Sequence, residues 1–227
     1  MNSEEMSGQS VVITGANRGI GLAFVRAYRA RGATVYGVCR TTTPELEASG
    51  AIVVEGVDVT SGESMVTLQQ RFEGVAVAVL INNAGLLESE TLDKLNFDTI
   101  TRQFEVNAMG PLRVTAALLP SMSRGSKVGL ITSRMGSITD NGSGGYYGYR
   151  MSKAALNAAG MSLAKDLHST GIAVAILHPG FVQTGMVGFA GDISSETAAN
   201  RLVARMDELS LDNSGTFWHS SGELLPW

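Results

Sequence analysis

Short apolar segments rich in β-branched residues alternate with amphipathic helical patterns along the chain. The first segment, "SVVITG" (Ser10–Gly15), predicts a buried strand, and "GLAFVRAYRARG" (Gly21–Gly32) predicts a helix that ends at a glycine. The same apolar pattern predicts further strands at 33–39, 51–59, 75–85, 128–133, 172–180 and 215–219. Helical periodicity predicts helices at 63–72, 97–122, 149–168 and 196–210.

Strands that are apolar throughout and alternate with helices are typical of a parallel sheet with helices on both faces. We therefore predict the α/β class, as a single-domain, Rossmann-like doubly wound sheet of about seven mainly parallel strands. No internal repeat or low-complexity linker divides the sequence, which predicts one domain over residues 1–227. Residues 1–9 are polar and acidic, and we expect them to form a flexible N-terminal extension that is not a signal peptide.

The composition favours a globular protein and argues against several other classes. Hydrophobic residues make up 44% of the chain and charged residues 17%, which is typical of a globular protein and not of a disordered one. The net charge of -4 provides no basic surface for nucleic acid, and no apolar run approaches the roughly 20 residues that span a bilayer. The single cysteine, Cys39, excludes an internal disulfide, and the three histidines lack the spacing of metal ligands. We expect a cytoplasmic protein without a metal site, a nucleic-acid partner or a membrane span.

The first predicted strand leads into the glycine-rich turn "TGANRGIG". Gly15 permits a tight turn, Gly19 permits close approach of a pyrophosphate to the backbone, and Gly21 permits close packing of helix on strand. The free N–H groups at the start of the following helix carry a partial positive charge that favours an anion. The turn predicts a dinucleotide site, and a purely structural turn is the alternative. Its other predicted contacts are Asn17, Arg18 and Ile20.

The end of the second predicted strand bears on the choice of cofactor. A carboxylate usually stands there to bind the ribose 2′-hydroxyl of NAD, but this chain has Cys39 and Arg40. Arg40 can bind a 2′-phosphate through a planar fork of donors, and Arg18 in the turn can reach the same phosphate. NADP(H) is therefore favoured over NAD(H), unless both arginines are solvated surface charges.

Three motifs together point to a known family. The glycine-rich turn is followed by "NNAG" (Asn82–Gly85) after the fourth predicted strand, and then by Tyr149-x-x-x-Lys153 on a predicted helix. In this order the motifs resemble those of the short-chain dehydrogenase/reductase family, over Val11–Trp227. The segments "ITSRMGSITDN", "GGYYGYRMSKAALN", "PGFVQTGM" and "LPW" look most like the C-factor and sniffer-type carbonyl reductases.

The resemblance implies further cofactor contacts. Asp58 and Val59, at the end of the third predicted strand, resemble the pair that holds the adenine. Tyr149 and Lys153 are also implied to contact the cofactor. The segments that resemble those lying against the adenosine ribose, the nicotinamide and the phosphates are Asn83, Ala84 and Gly85, and Pro179, Gly180, Val182 and Thr184. Ordinary turns at strand ends are the alternative for the Asp58–Val59 and Pro179–Gly180 pairs.

Tyr149 and Lys153 are four positions apart, so both project from one face of the predicted helix. A tyrosine with a pKa of about 10 exchanges protons poorly near neutral pH, and a neighbouring ammonium group lowers that pKa. We therefore predict that Tyr149 is the proton donor and that Lys153, together with the positive nicotinamide ring of the oxidised cofactor, lowers its pKa. A helical tyrosine beside a solvated lysine is the alternative. Tyr146 and Tyr147 lack such a partner and are expected to line the substrate pocket or pack against it.

The resemblance implies two more catalytic residues. Ser133, at the end of the fifth predicted strand, resembles the serine whose hydroxyl stabilises the substrate carbonyl; its rivals are Thr132, Ser137 and Ser143. Asn107, in "FEVNAMGP", resembles the asparagine that kinks its helix and holds a water connecting the lysine to solvent. Asparagine is unusual in an apolar helix because its side chain competes for helical hydrogen bonds. A polar residue on an exposed helix face is the alternative.

Together these features predict an NADPH-dependent carbonyl reductase or alcohol dehydrogenase, which transfers hydride to a ketone or aldehyde with Tyr149 as general acid. Residues 185–200 resemble the family's substrate lid, and their glycines make the segment mobile. Met186, Phe189 and the neighbouring tyrosines favour a small apolar or aromatic carbonyl or alcohol substrate, although methionines there are equally compatible with core packing.

Two alternatives and the oligomeric state stay open. A nucleotide-binding signalling or sensor protein of the C-factor type is the main alternative. A sugar-nucleotide epimerase is disfavoured, since those relatives carry a longer C-terminal substrate region. The Tyr149 helix has a second apolar stripe, which we expect to be mainly core, although family members often form homodimers or homotetramers through this helix. The stripe consists of Leu156, Gly160, Leu163 and Leu167.

Overall fold

One parallel sheet forms the centre of the molecule. The computed structural model describes residues 6–227, and within them seven strands form this sheet. The strands are β1 (Ser10–Thr14), β2 (Thr34–Val38), β3 (Ile52–Val54), β4 (Val77–Asn82), β5 (Lys127–Ile131), β6 (Ala173–His178) and β7 (Phe217–His219). Their spatial order is β3-β2-β1-β4-β5-β6-β7, and every neighbouring pair is parallel. The predicted α/β class is confirmed.

Helices connect the strands. They are α1 (Gly19–Ala30), α2 (Pro44–Glu47), α3 (Gly62–Arg71), α4 (Phe97–Phe104), α5 (Gly110–Leu118), α6 (Tyr147–His168) and α7 (Ser195–Glu208). The single helix predicted at 97–122 is instead α4, a π-helical segment (Glu105–Met109), α5 and a final turn (Leu119–Ser121). The short α2 has no counterpart among the predicted helices. It begins where the Thr43 side chain accepts a hydrogen bond from the Leu46 N–H, with Pro44 at a position that needs no donor.

The helices cover both faces of the sheet. On one face α1 packs against α7, and their apolar side chains meet β1 in a cluster that includes Ile13, Phe24 and Leu202. On the other face α3, α5 and α6 pack over a cluster that includes Leu80 and Leu130. All five side chains are fully buried, and each such burial stabilises the fold by roughly 1.5–3 kcal/mol.

The order of the strands creates a crevice at one edge of the sheet. β1 lies in the middle, with β2 on one side and β4 on the other. The chain winds outward from β1 to β3 and then returns to β4, so the connections after β1 and β4 leave toward opposite faces. Doubly wound sheets bind ligands at this point, beyond the carboxyl ends of the two strands. Here those ends are Thr14 and Asn82.

β3 is shorter than the strand predicted at 51–59. Gly56, with φ of +80°, turns the chain, and the Val57 N–H then donates to the Cys39 carbonyl beside the end of β2. Asp58 and Val59 therefore lie beyond β3 and not at its end as predicted. The turn nevertheless brings them to the same edge of the sheet as the end of β2.

The predicted N-terminal extension lies partly outside the described residues, which begin at residue 6. Met6 is 8% exposed and belongs to the cluster under α1, and its N–H donates to the Arg31 carbonyl at 3.1 Å. The described end of the extension is thus anchored to the domain, while flexibility of residues 1–5 stays a prediction. Within residues 6–227, no helix is both long enough and apolar enough to span a membrane.

The second apolar stripe of α6 is part of the core. Leu156 and Leu167 are buried in the same cluster as β5 and β6, and Leu163 packs against that cluster. A Cβ on Gly160 would lie 2.8 Å from side-chain atoms of Ile176 and Leu130, so the helix lies directly on the sheet at this point. The expectation that the stripe is mainly core is confirmed, and a homodimer or homotetramer stays a prediction.

The start of α6 is held by a residue that is distant in sequence. Tyr146, at the N-cap position, has a left-handed φ of 52° and makes no side-chain cap. Glu90 takes that role: its main-chain carbonyl accepts the Tyr146 N–H at 2.8 Å, and its carboxyl Oε2 accepts the Gly148 N–H at 3.1 Å. Two donors at the helix start are thereby satisfied from the loop after β4.

Glu90 also ties the start of α6 to α4. Its carboxyl group is 2% exposed, and Oε1 accepts hydrogen bonds from Thr99 Oγ1 and Gln103 Nε2, both at 2.7 Å. Gly148 has no room for a side chain here, since a Cβ would lie 2.4 Å from Gln103 Nε2. Because Tyr149 follows Gly148 directly, the Glu90 carboxyl group sets the position from which the Tyr149 side chain extends.

We predict that Glu90→Ala lowers the free energy of unfolding by about 2 kcal/mol or more, because it leaves the Gly148 N–H and the Gln103 amide buried without an acceptor. Urea denaturation measures this loss. Glu88→Ala is the matched control: it removes a half-buried ion pair with Arg102, which is expected to be worth less than about 1 kcal/mol. Equal losses in the two variants would contradict the proposed role of Glu90.

Candidate active site

The turn between β1 and α1 has the geometry that its glycines predict. Gly15 and Gly19 have φ of +63° and +53°, values that favour glycine. A Cβ on Gly21 would lie 2.1 Å from the Gly15 carbonyl oxygen, so α1 meets the turn too closely for a larger residue. α1 begins at Gly19 without a side-chain cap and without an acidic residue in its first turn. Its first N–H groups are therefore available to an anion.

The segment after β4 braces this turn. Thr14 Oγ1 accepts hydrogen bonds from the N–H groups of Asn83 and Ala84, at 3.0 and 3.1 Å. The Asn83 amide Nδ2 in turn donates to the carbonyl oxygens of Thr14 and Gly15. A Cβ on Gly15 would lie 2.9 Å from the Ala84 Cα. The two motifs therefore form one rigid wall, with Asn83 as a structural member of it.

A cavity of about 950 Å³, here termed the turn cavity, opens beside this wall. This volume lies near the upper end of the usual range for ligand pockets, roughly 300–1,000 Å³. Gly21 lies beneath the turn and shapes it. Together, the glycine turn, the uncapped helix start and the cavity volume fit a dinucleotide. Predicted cofactor residues that line the cavity are Gly15, Asn17, Arg18, Gly19, Ile20, Arg40, Asp58, Val59, Asn83, Ala84, Gly85 and Thr184.

Two arginines lie on the part of the turn cavity next to β2. Arg18 and Arg40 are both exposed, and neither forms an ion pair within residues 6–227. Asp58 faces the same region. Hydrogen bonds from the Thr60 N–H and hydroxyl lower its pKa below the usual value, and the nearby Arg40 lowers it further. Glu45 of α2 also lines the cavity, so the region has mixed charge with unpaired guanidinium groups.

A second cavity of about 720 Å³, the Tyr149 cavity, adjoins the first. It is lined by Ser133 and Tyr149. Ile20, Thr184 and Met186 line both cavities, so a ligand that extends from one reaches the other. Predicted cofactor residues that line the second cavity are Ile20, Tyr149, Pro179, Gly180, Val182 and Thr184.

Ser133 and Tyr149 are joined in this cavity. Ser133 follows β5 and is 7% exposed; its Oγ accepts the Met135 N–H at 3.1 Å, which fixes the side chain at the start of a helical turn. Burial raises the pKa of Tyr149 to about 12, and a side-chain hydrogen bond from Ser133 opposes that rise. Both residues therefore line the same cavity, where one ligand can contact the two hydroxyls.

The three rivals of Ser133 have other partners. Thr132 Oγ1 donates to Asn157 Oδ1 at 2.7 Å, so it bonds to a side chain of α6. Ser137 Oγ donates to the Trp227 carbonyl and is 2% exposed. Ser143 lies on an exposed loop and accepts a hydrogen bond from Arg150. The geometry thus favours Ser133 as the partner of Tyr149.

Lys153 is buried on the same face of α6 as Tyr149. It is 4% exposed, and its Nζ donates to the Ile131 carbonyl at 2.9 Å and lies 5.7 Å from the centre of the Tyr149 ring. A Cβ on Gly85 would lie 3.8 Å from this Nζ, so the amine faces the turn cavity wall at Gly85. The alternative of a solvated lysine is excluded by this burial.

For the protein groups alone, burial acts in the opposite direction to the lowered pKa expected for Tyr149, and the lowering by Lys153 together with the oxidised cofactor stays a prediction. Burial lowers the pKa of Lys153 from 10.5 to about 7, because the charged amine loses its hydration. Burial likewise raises the pKa of Tyr149 to about 12. Desolvation therefore favours the neutral form of each group.

Asn107 lies in the π-helical segment between α4 and α5 and is completely buried. Its Oδ1 accepts the Leu86 N–H at 2.7 Å, and its Nδ2 donates to the Leu86 carbonyl at 2.7 Å and to Ser152 Oγ at 3.0 Å. Ser152 precedes Lys153 on α6. π-helical turns often mark functional sites, and this one fastens α6 to the loop after β4. The alternative of an exposed polar residue is excluded.

The segment after β6 is fastened at its base. The Gln183 N–H donates to the Ile193 carbonyl, and the Asp192 N–H donates to the Phe181 carbonyl. A Cβ on Gly191 would lie 2.2 Å from the main chain of Val182, so the two arms lie in direct contact. Between them, residues 184–190 are mostly exposed. Residues 195–200 of the predicted lid belong instead to α7, so a lid can include only residues 185–194.

Phe189, which was expected near the substrate, lines the turn cavity instead of the Tyr149 cavity.

Two other residues of the site, His178 and Arg150, were not predicted from the sequence. His178 lines the Tyr149 cavity; burial lowers its pKa to about 3, with a smaller contribution from His219, so its ring is neutral. Arg150 lines the same cavity. The sequence provides only a weak indication of these residues, because polar residues at the ends of β5 and β6, or next to Tyr149, can lie in the site.

We predict that Lys153→Met changes how stability depends on pH. Between pH 7 and about 10 the unfolded chain binds a proton at Lys153 that the folded chain has released, so this residue makes the unfolding free energy rise with pH. The variant should show a smaller rise between pH 7 and 9, by up to about 1 kcal/mol per pH unit. Urea unfolding at both pH values tests this. Lys165→Met, on the exposed face of α6, is the control and should follow wild type. Parallel curves for Lys153→Met and wild type would contradict the expected deprotonation.

The comparisons with known proteins agree with this geometry. A 1-hydroxy-2-glutathionyl-2-methyl-3-butene dehydrogenase from Rhodococcus sp. (strain AD45) is 41% identical over 224 residues, which cover 96% of this chain and 99% of the relative. The C-signal of Myxococcus xanthus is 42% identical over 154 residues, 66% of this chain and 93% of the relative. The crystal structure of NADPH-bound carbonyl reductase from chicken fatty liver has a TM-score of 0.88 and 28% identity, and covers 98% of this chain and 100% of that one.

The family assignment follows from the extent of the match. The family model described as short chain dehydrogenase matches residues 9–207, which include the glycine turn, Ser133, Tyr149 and Lys153. Members of this family are oxidoreductases that use a nicotinamide cofactor. This chain belongs to the short-chain dehydrogenase/reductase family.

Proposed function

We propose that the protein is an NADPH-dependent carbonyl reductase, or alcohol dehydrogenase in the reverse direction, with Tyr149 as general acid. One observation carries the proposal: Ser133 and Tyr149 line a cavity that adjoins a second one of dinucleotide size, and Lys153 is buried between β5 and α6 beside them. The likeness to carbonyl reductase structures supports the same reaction class.

The protein residues divide the work at the reacting carbonyl. The Ser133 hydroxyl donates to the substrate oxygen and stabilises its developing negative charge. Tyr149 donates its proton to that oxygen as the C=O bond becomes C–OH. When bound, the reduced nicotinamide supplies the hydride that the carbon receives. The raised pKa keeps Tyr149 protonated before the reaction, so the proton is held on the neutral phenol until the substrate oxygen receives it.

Lys153 and Asn107 are proposed to return the proton. Lys153 has a pKa of about 7, so its amine gains and loses a proton readily near neutral pH. Asn107 bonds to Leu86 and to Ser152, the neighbour of Lys153 on α6, and the family resemblance implies a water held at Asn107 that connects the Lys153 amine to solvent. In this proposal the proton passes from solvent to Lys153 and on to Tyr149.

The turn cavity is proposed to bind NADP(H) in preference to NAD(H). Arg40 follows the end of β2, where a carboxylate would repel a 2′-phosphate, and Arg18 lies in the turn after β1; both line the turn cavity, and neither forms an ion pair within residues 6–227. Gly15, Gly19 and the start of α1 hold the pyrophosphate, and Asp58 and Val59 lie where the adenine is expected. NADPH or NADP binding by the structural neighbours supports this preference.

The substrate is proposed to be a small carbonyl compound or alcohol with an apolar or aromatic part. Phe181, Met186 and Tyr146 line the Tyr149 cavity with apolar surface, whereas Tyr147 does not line it. The Rhodococcus relative is named for a glutathionyl-substituted alcohol, so a thioether-bearing alcohol belongs among the compounds to test. Residues 185–194 are proposed to act as the lid. A cytoplasmic location and a homo-oligomeric state remain predictions from sequence.

A signalling or sensor role is the second candidate. The observation in its favour is the 42% identity to the C-signal of Myxococcus xanthus. A sensor needs the turn cavity but not the buried set of Ser133, Tyr149 and Lys153. Tight NADPH binding without turnover, unchanged in Tyr149→Phe, would support this candidate over the reductase.

We predict that the protein oxidises NADPH in the presence of aromatic aldehydes, ketones or diketones, and that Tyr149→Phe lowers kcat by about 10²–10⁴-fold because it removes the proton donor. Loss of NADPH absorbance measures the rate. Tyr147→Phe is the matched control on the same helix turn and should stay close to the wild-type rate. Full activity in Tyr149→Phe would overturn the mechanism.

We predict that Arg40→Ala raises the KM for NADPH about tenfold or more and leaves the KM for NADH nearly unchanged, because only the former has a 2′-phosphate for the guanidinium to bind. Steady-state kinetics with both cofactors measure the ratio. Arg71→Ala, on the exposed end of α3 shortly before β4 begins, removes the same charge far from the turn cavity and should preserve the preference. An equal effect on both cofactors would argue against phosphate recognition by Arg40.

A further inference from the structure

Arg150 places a positive charge in the Tyr149 cavity. It follows Tyr149 directly on α6, and its side chain lines the cavity beside Ser133 and Tyr149. The sequence motif does not use this position, and the proposed proton transfer needs no charge there. A cation on the wall of a cavity that was expected to be apolar is therefore explained if the cavity binds an anionic ligand.

The other charged residues of this cavity are already paired. Arg134 binds Asp140, with Nε to Oδ2 at 3.2 Å, and binds Glu223, with a terminal nitrogen to Oε1 at 2.9 Å. His178 is neutral because it is buried. Arg150 is therefore the remaining cation of the Tyr149 cavity, and the paired residues do not cancel its charge.

The contacts of Arg150 are with neutral acceptors. One terminal nitrogen donates to Ser143 Oγ at 2.9 Å, the other donates to the Met135 carbonyl at 3.4 Å, and Nε donates to the Gly144 carbonyl at 3.4 Å. Two of these bonds are long, and a guanidinium group has five N–H donors. No carboxylate within residues 6–227 lies within 4.0 Å of it. The guanidinium is thus held in place by the loop and has donors left for an anion.

The position of Arg150 relative to Tyr149 limits what the anion can be. Consecutive side chains on an α-helix diverge by about 100°, so the guanidinium and the Tyr149 hydroxyl point to different parts of the cavity. One ligand that meets both must carry its anionic group several bonds away from the reacting carbon. A planar carboxylate matches the fork of guanidinium donors and its single charge.

We propose that Arg150 binds a carboxylate of the substrate, so that the preferred substrate is a carbonyl compound or alcohol with a carboxylate remote from the reacting carbon. This inference rests on the proposed reductase function and names its substrate class. It adds a carboxylate to the substrate with an apolar or aromatic part that is proposed above. The reacting carbonyl lies at Tyr149, the carboxylate lies at Arg150, and the apolar part lies between them.

Paired substrates test the proposal. The compounds are para-acetylbenzoate and its neutral methyl ester and carboxamide, which share the ketone and the ring. In the wild-type protein kcat/KM should be about tenfold or more higher for the carboxylate than for either neutral compound. Arg150→Met should abolish this ratio, and Arg150→Lys should keep part of it, because the charge remains while the fork of donors is lost. The ratio is the readout because Arg150 also holds the loop, whose disturbance affects all three ketones together.

Controls and a second measurement make each outcome decisive. Arg71→Met carries the same change of net charge at a remote, exposed position and should keep the wild-type ratio. Calorimetric titration with para-acetylbenzoate needs no turnover: wild type should bind it about tenfold or more tightly than Arg150→Met. Weaker binding in Arg150→Met without turnover of any ketone would support the carboxylate site and overturn the reductase. Equal binding, or a carboxylate preference that survives in Arg150→Met, would overturn the carboxylate site whatever the turnover.

Discussion

The packing of α6 against the carboxyl end of β5 is the constraint on which the site depends. The Lys153 amine donates to the Ile131 carbonyl, and Thr132 Oγ1 donates to Asn157 Oδ1. A Cβ on Gly136 would lie 2.8 Å from the main chain of Lys153, so the turn after β5 lies directly on the helix. Because Ser133 follows β5 and Tyr149 extends from α6, this contact fixes the distance between their hydroxyls.

The same packing sets the electrostatics of the site. It removes water from both Tyr149 and Lys153, and the loss of hydration raises one pKa to about 12 and lowers the other to about 7. In a site built from protein groups alone Tyr149 is therefore neutral at neutral pH, while the pKa of Lys153 lies close to neutral pH. A positive charge brought into the neighbouring turn cavity would favour the tyrosinate, so proton transfer is coupled to what that cavity holds. The coupling arises from burial and not from the charge of Lys153, because charges interact more strongly where water is excluded.

Features encoded by neighbouring residues could be predicted from the sequence, and features encoded across the fold could not. The turn at Gly15 and the Tyr149–Lys153 face depend on conformations within a few residues, and both are present in the structure. Glu90 bonds to Gly148 across 58 positions, and no pattern in the loop after β4 indicates this contact. The family resemblance implied a kink at Asn107, but the bonds to Leu86 and Ser152 that hold it there are brought together only by the fold.

The first turn of α6 shows how two charged residues can differ in role although they lie close together. Glu90 is 2% exposed and has its acceptors filled by neutral donors and by the start of the helix, so its charge is fully used in positioning Tyr149. Arg150 is partly exposed, its hydrogen-bond acceptors are neutral, and two of its hydrogen bonds are long, at 3.4 Å. In the proposed substrate site its charge is therefore available to a ligand. The two side chains do not pair with each other, because Glu90 lies on the α4 side of the helix and Arg150 on the loop side. Pairing would neutralise the cation in the Tyr149 cavity, and their separation leaves a stable helix start and a charged wall within one helical turn of Tyr149.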